Sequence, residues 1–74
     1  MCKERALIDS LLSGAAKPDD LFGSTSELLC VWLAVGRFEE LRAPYETIGD
    51  AWERLDLRQR NIVREYNKAL RTER

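Results

Sequence analysis

Apolar side chains near the start of the chain fall at Ala6, Leu7, Ile8, Leu11 and Leu12. The spacing i, i+1, i+4, i+5 predicts a short helix with one apolar face, and Arg5 and Asp9 stand four apart on the other side, where an ion pair across one turn is expected. Ser13-Gly14 closes that helix, because glycine readily takes the left-handed conformation found at helix ends. Lys17-Pro18-Asp19-Asp20 reads as a turn. Pro18 at a first helical position, followed by two acids, is also suited to start one helical turn that tucks Leu21 and Phe22 inward.

Ser24-Thr25-Ser26-Glu27 has the spacing of a capping box, with the Ser24 hydroxyl accepting from the Glu27 N–H and the Glu27 carboxylate accepting from the Ser24 N–H. The helix begun there runs into Leu28–Val35, eight consecutive apolar residues that leave no polar face. Such a helix is either the buried centre of the domain, with Trp32 inside, or half of an oligomer interface. Gly36 leaves two readings open. It ends the helix, or the helix continues through Phe38 and Leu41 to about Arg42 at a cost of roughly 1 kcal/mol for an interior glycine. Ala43-Pro44 interrupts in either case, since the residue before proline is pushed out of helical dihedrals.

Thr47 stands three residues before Asp50, again a capping spacing, and Ile48, Ala51, Trp52 and Leu55 follow at helical period. Asp56 is suited to cap a new helix. Yet the seam Ile48, Trp52, Leu55, Gln59, Ile62, Tyr66, Ala69 alternates four and three straight through it, so two helices with a kink and one bent helix both fit. Ile62, Val63, Tyr66 and Leu70 share one face of the last segment, and Arg71–Arg74 is expected to fray. No stretch alternates like a strand. The fold expected is all-α, a single domain over 1–74 built as a compact bundle of three to four helices. Leu7, Ile8, Leu11, Leu12, Phe38, Leu41, Trp52, Leu55, Ile62, Val63 and Tyr66 pack on Leu28–Val35.

At 74 residues a chain buries only about 60% of its unfolded surface, which leaves room for one core and no second domain. There is no histidine, so the usual base near neutral pH and the commonest metal ligand are missing. The two cysteines are no disulfide framework: Cys2 is expected at the surface, and Cys30 lies among Leu29, Val31 and Trp32, where apolar surroundings make a thiol inert. Asp19 and Asp20 lack the alternating carboxylates of a calcium loop, and the scattered glycines match no phosphate loop. The expectation is a non-enzymatic, cofactor-free, cytoplasmic protein. With its longest apolar run far short of the ~20 residues of a membrane span, no membrane contact is expected.

Net charge is only −1, but its placement is uneven. Residues 17–56 carry four basic and nine acidic side chains, whereas 57–74 carry six basic and two acidic. Arg60, Arg64 and Lys68 recur every four residues with Arg71 beside the row, making a basic stripe on the last helix. A solvated face that complements the helix dipole has this pattern, and so has a binding surface. Five of the six cations are arginines, the residue whose planar fork suits carboxylates at interfaces. Arg58, Arg60, Arg64, Lys68 and Arg71 are therefore the candidate partner-binding residues, and the partner expected is a protein with an acidic patch. A regulator that docks on a larger protein fits this inventory, as do the inhibitors that bacterial viruses make against host enzymes. Nucleic acid binding through the stripe is the alternative, opposed by the acidic remainder of the chain. A weak homodimer joined through the apolar helix is the third.

Trp52-Glu53-Arg54-Leu55-Asp56-Leu57-Arg58-Gln59-Arg60-Asn61-Ile62-Val63-Arg64-Glu65-Tyr66 resembles the opening helix of the C-terminal, promoter-binding region of bacterial sigma factors, where a Leu, a short spacer and Arg-Gln-Arg precede an apolar pair. The similarity covers about a dozen residues. In that family a full helix-turn-helix follows, and no recognition helix is expected after Tyr66. The resemblance implies a domain that touches the transcription machinery without reading promoter DNA itself, and it assigns no functional residue.

Overall fold

The computed structural model describes residues 3–67. Cys2, Leu70 and the chain end after it lie outside the described residues. Among them four α-helices form the bundle: α1 (Lys3–Ser13), α2 (Thr25–Val35), α3 (Ile48–Arg54) and α4 (Leu57–Tyr66), with short 3-10 turns at Pro18–Asp20 and Phe38–Glu40. No strand occurs among the described residues.

The caps set the boundaries. At the start of α2, the Glu27 N–H donates to Ser24 Oγ at 3.3 Å while the Ser24 N–H donates to Glu27 Oε1 at 2.8 Å, so two helix-end donors are satisfied reciprocally. The helix stops at Gly36, whose φ of 78° lies in the left-handed region that a side chain would strain. That excludes the longer helix through Leu41. Thr47 Oγ1 accepts from the Asp50 N–H at 3.1 Å to begin α3. Asp56 and Gln59 form a second capping box that begins α4. Two separate helices therefore replace the single bent one, because Leu55 and Asp56 both take extended backbone.

α2 is the centre, and α1, α3 and α4 all pack on it. Leu29 through Ala34 are buried without interruption, joined by Ile8, Leu41, Ala51, Leu55, Ile62 and Val63. A helix enclosed on all sides has no use for a polar face, which is why its sequence shows no amphipathic period. Trp32 is inside, as expected.

Three expected core residues are not covered. Leu12 is 63% exposed: Glu4, Ile8 and Leu11 set the inward face of α1, and Leu12 falls at its edge in the last turn. Phe38 is 37% exposed, because the helix that would have carried it ends at Gly36. Phe22 is 80% exposed. Leu21, in extended backbone, packs on the core, and the next side chain of an extended segment points the opposite way.

Candidate functional site

α4 carries three of the five candidate cations inside the described residues, and the helix itself divides them. At 100° per residue, Arg64 sits about 40° from Arg60, whereas Arg58 is about 160° away from Arg60 on the other side of the helix. Arg58 thus faces α1, and Arg60 and Arg64 face α3. Lys68 and Arg71 lie outside the described residues.

On the α1 side, Arg58 is taken up by an acid. Glu4, only 1% exposed, accepts from Arg58 Nη1 at 3.1 Å and Nη2 at 2.9 Å, a bidentate pair, and from Gln59 Nε2 at 2.9 Å. The same Gln59 amide nitrogen reaches Ser26 Oγ at 3.3 Å, and its oxygen accepts from the Asp56 N–H at 3.1 Å. One side chain therefore joins α1, α2 and the cap of α4. Below them the Cys30 thiol donates to the Gln59 carbonyl at 3.5 Å. The Arg58 guanidinium holds the Glu4 carboxyl down to about 2, from an ordinary 4.5; burial opposes this and the Gln59 amide assists. A buried carboxylate is tolerated only where its lone pairs are met in this way. No buried side-chain nitrogen or oxygen among the described residues lacks a partner.

The seam is extended by two exposed contacts. Arg5 pairs with Glu65, and Tyr66 Oη donates to Asp9 Oδ1 at 3.3 Å. These replace the expected Arg5–Asp9 pair across one turn of α1, because both side chains point at α4 rather than along their own helix. The Arg5 guanidinium lowers the Glu65 carboxyl below the usual carboxylate range.

On the α3 side the arrangement differs. The Arg60 and Arg64 guanidinium carbons lie 5.4 Å and 5.1 Å from the centre of the Trp52 ring, within the range of cation–π attraction. Arg60 Nε also donates to the Trp52 carbonyl at 3.1 Å, and Nη2 to the Glu53 carbonyl at 3.5 Å, closing the open C-terminal carbonyls of α3. Arg64 is exposed and donates to the Asn61 amide oxygen at 3.4 Å. Neither arginine forms an ion pair among the described residues. The result is an indole bearing two positioned guanidiniums whose charge meets no carboxylate there.

Comparison with protein families, curated proteins and solved structures finds no match to this chain. No group of three or more Cys, Asp or Glu side chains suited to hold a metal ion occurs among the described residues, and no helix there is long and apolar enough to cross a membrane. Trp52 was expected only as a core residue. It is half-buried, packed on the core and still able to carry both arginines. Its separation from Arg60 and Arg64, by eight and twelve residues, crosses a helix break, so no single helical period reveals the cluster. Gln59 did leave a trace, as the one polar residue in an otherwise apolar and aromatic seam.

Proposed function

We propose that this is a non-enzymatic regulatory protein that acts in the cytoplasm by docking on a larger protein assembly, with Arg60 and Arg64 over Trp52 at the centre of the docking surface. The observation that carries this reading is the pair of guanidiniums ordered on one indole with no carboxylate among the described residues to neutralise them. Interface hot spots favour this composition, because a held arginine loses less freedom when it meets a carboxylate and the aromatic ring adds area that binding can desolvate. The counterpart is an acidic patch on the partner. The transcription machinery is the assembly we favour, on the resemblance carried by Trp52–Tyr66, and inhibition of a host enzyme of the kind bacterial viruses practise belongs to the same class.

Nucleic acid is the second reading. An indole flanked by arginines is also a stacking platform for single-stranded bases. The excess of acid over residues 17–56 works against it, since phosphate binding depends on an attractive far field.

Affinity capture from an extract of the producing cells, after nuclease treatment, tests the reading when wild type and Arg64→Glu are compared side by side. Among the described residues the exposed Arg64 guanidinium interacts with the Trp52 ring and the Asn61 amide oxygen, so the variant keeps its fold. The expected result is a protein retained by wild type and lost at least about tenfold by the variant. Equal retention contradicts it. Loss of all retention on nuclease treatment, with tight binding of random DNA and a steep salt dependence, replaces it with the nucleic-acid reading.

A further inference from the structure

Away from the arginines, a groove of about 250 Å³ opens between α2 and the segment that follows the Phe38–Glu40 turn. Leu28 and Trp32 line it from the helix, Pro44 and Tyr45 from the segment, and two opposite charges, Glu40 and Arg42, stand in the same lining. Arg42 is oriented by its own bonds, Nη1 donating to the Glu39 carbonyl at 3.2 Å and the Leu41 carbonyl at 3.4 Å. Clefts that enclose drug-sized ligands or cofactors run from about 300 to 1,000 Å³, so this volume suits one large side chain better than a small molecule.

A side chain of that kind lies close to the lining in sequence. Phe22 is 80% exposed and precedes Thr25, a residue of the groove lining, by three positions. Phe22 is not part of the lining of its own groove. One molecule therefore shows both an exposed aromatic ring, three residues before the lining begins, and a groove walled by Leu28, Trp32, Pro44 and Tyr45. Two-fold symmetry lets one copy satisfy the other. In an isologous contact residue i meets j while j meets i, so each Phe22 reaches the opposite groove in one arrangement. The charges support the same symmetry: Glu40 of each copy meets Arg42 of the other, giving two attractive pairs. A partner surface of a single sign would attract one of these side chains and repel the other.

We propose that the protein associates with a second copy of itself through this groove, with Phe22 of each copy seated between Trp32 and Tyr45 of the other and Glu40–Arg42 pairs crossing the rim. The surface shares no residue with the Trp52–Arg60–Arg64 cluster, so it stands or falls independently of the docking function. One aromatic anchor and two rim pairs make a small interface, which places the dimer in the weak, reversible class.

Sedimentation of the full chain from about 10 μM to about 1 mM, the range of a weak dimer, tests this. Wild type should pass from monomer to dimer across that range. Phe22→Ala, at an exposed position that leaves the fold intact, should weaken association at least about tenfold. Glu40→Arg alone and Arg42→Glu alone should each be monomeric, since both rim contacts become repulsive. Their equimolar mixture should regain dimers as a heterodimer, because an all-basic rim then meets an all-acidic one. A wild type that stays monomeric throughout overturns the proposal, as does undiminished association of Phe22→Ala or a mixture that associates no better than its components. If either charge variant fails to give a helical spectrum, the Phe22→Ala comparison decides the matter.

Discussion

At the first turn of α4, a buried carboxylate, a guanidinium and an amide saturate one another; on the α3 side of the same helix, two guanidiniums lie on an indole and meet no carboxylate among the described residues. Arg58 is close in sequence to Arg60 and Arg64, and all three are arginines on one helix. What separates them is helix phase. Arg58 points at α1, where Glu4 sits in the first turn, a position favourable for an acid near a helix N-terminus. Arg60 and Arg64 point at α3, which offers carbonyls and an aromatic face. A count of basic residues treats the three as equivalent. Their surroundings make the first a structural cation and leave the other two on the Trp52 ring without a carboxylate among the described residues.

The comparison breaks most visibly at Glu4. Glu4→Ala should lower unfolding free energy by about 3 kcal/mol in urea denaturation, since it removes packed methylenes and the acceptor of three hydrogen bonds, leaving the Gln59 amide short of a partner. A loss comparable to a surface substitution would show that the α1–α4 seam does not hold the bundle.

Acid titration probes the same contact. Glu4 is held down to about 2 in the folded protein against an ordinary 4.5, so the unfolded chain takes up its proton first. The stabilisation is complete above about pH 4.5 and is lost as pH falls towards 2, at most about 3 kcal/mol. Glu27, lowered chiefly by the Ser24 N–H, and Glu65, lowered chiefly by Arg5, act in the same direction. Stability measured against pH should therefore show the gap between wild type and Glu4→Gln narrowing as the solution is acidified. A constant gap would mean that the carboxylate charge is not what the site stabilises.

On the α3 side the effects are smaller. Arg60→Ala should cost about 1 kcal/mol through the lost carbonyl contacts and the ring contact, with Arg60→Lys recovering only part because a lysine cannot span two carbonyls in one plane. Trp52 emission, read in a Trp32→Phe background, should shift in both variants. Arg5→Ala, at an exposed pair, should move the melting transition least, and its small effect should vanish at high salt.

Much of the fold was legible in the sequence because helix ends are local events. Ser24, Thr47 and Asp56 each announce a cap within four residues of themselves, and Leu28–Val35 announces the buried centre by having no polar side. Gly36 was ambiguous since a lone glycine is compatible with both a helix interior and a helix end; only the left-handed φ decides. Phe22, Leu12 and Phe38 are exposed against their hydrophobicity for one reason: hydrophobicity states what a residue favours, and the direction of the local backbone states what it gets. The two clusters were harder to see. Glu4 and Arg58 are 54 residues apart, and Trp52 meets its arginines across the break at Leu55–Asp56, so neither pairing follows from a single helical period.

The central claim is that arginines on one helix divide into a structural one and positioned ones, and a side-by-side urea unfolding of Arg58→Ala and Arg64→Ala tests it most directly. Arg58→Ala strands a buried carboxylate and should cost about 2 to 3 kcal/mol, below the 3–5 kcal/mol of a wholly buried pair because the Arg58 side chain is itself half in water. Arg64→Ala should cost no more than about 0.5 to 1 kcal/mol, the worth of one exposed ring contact. Equal losses, or a larger loss at Arg64, would contradict the division.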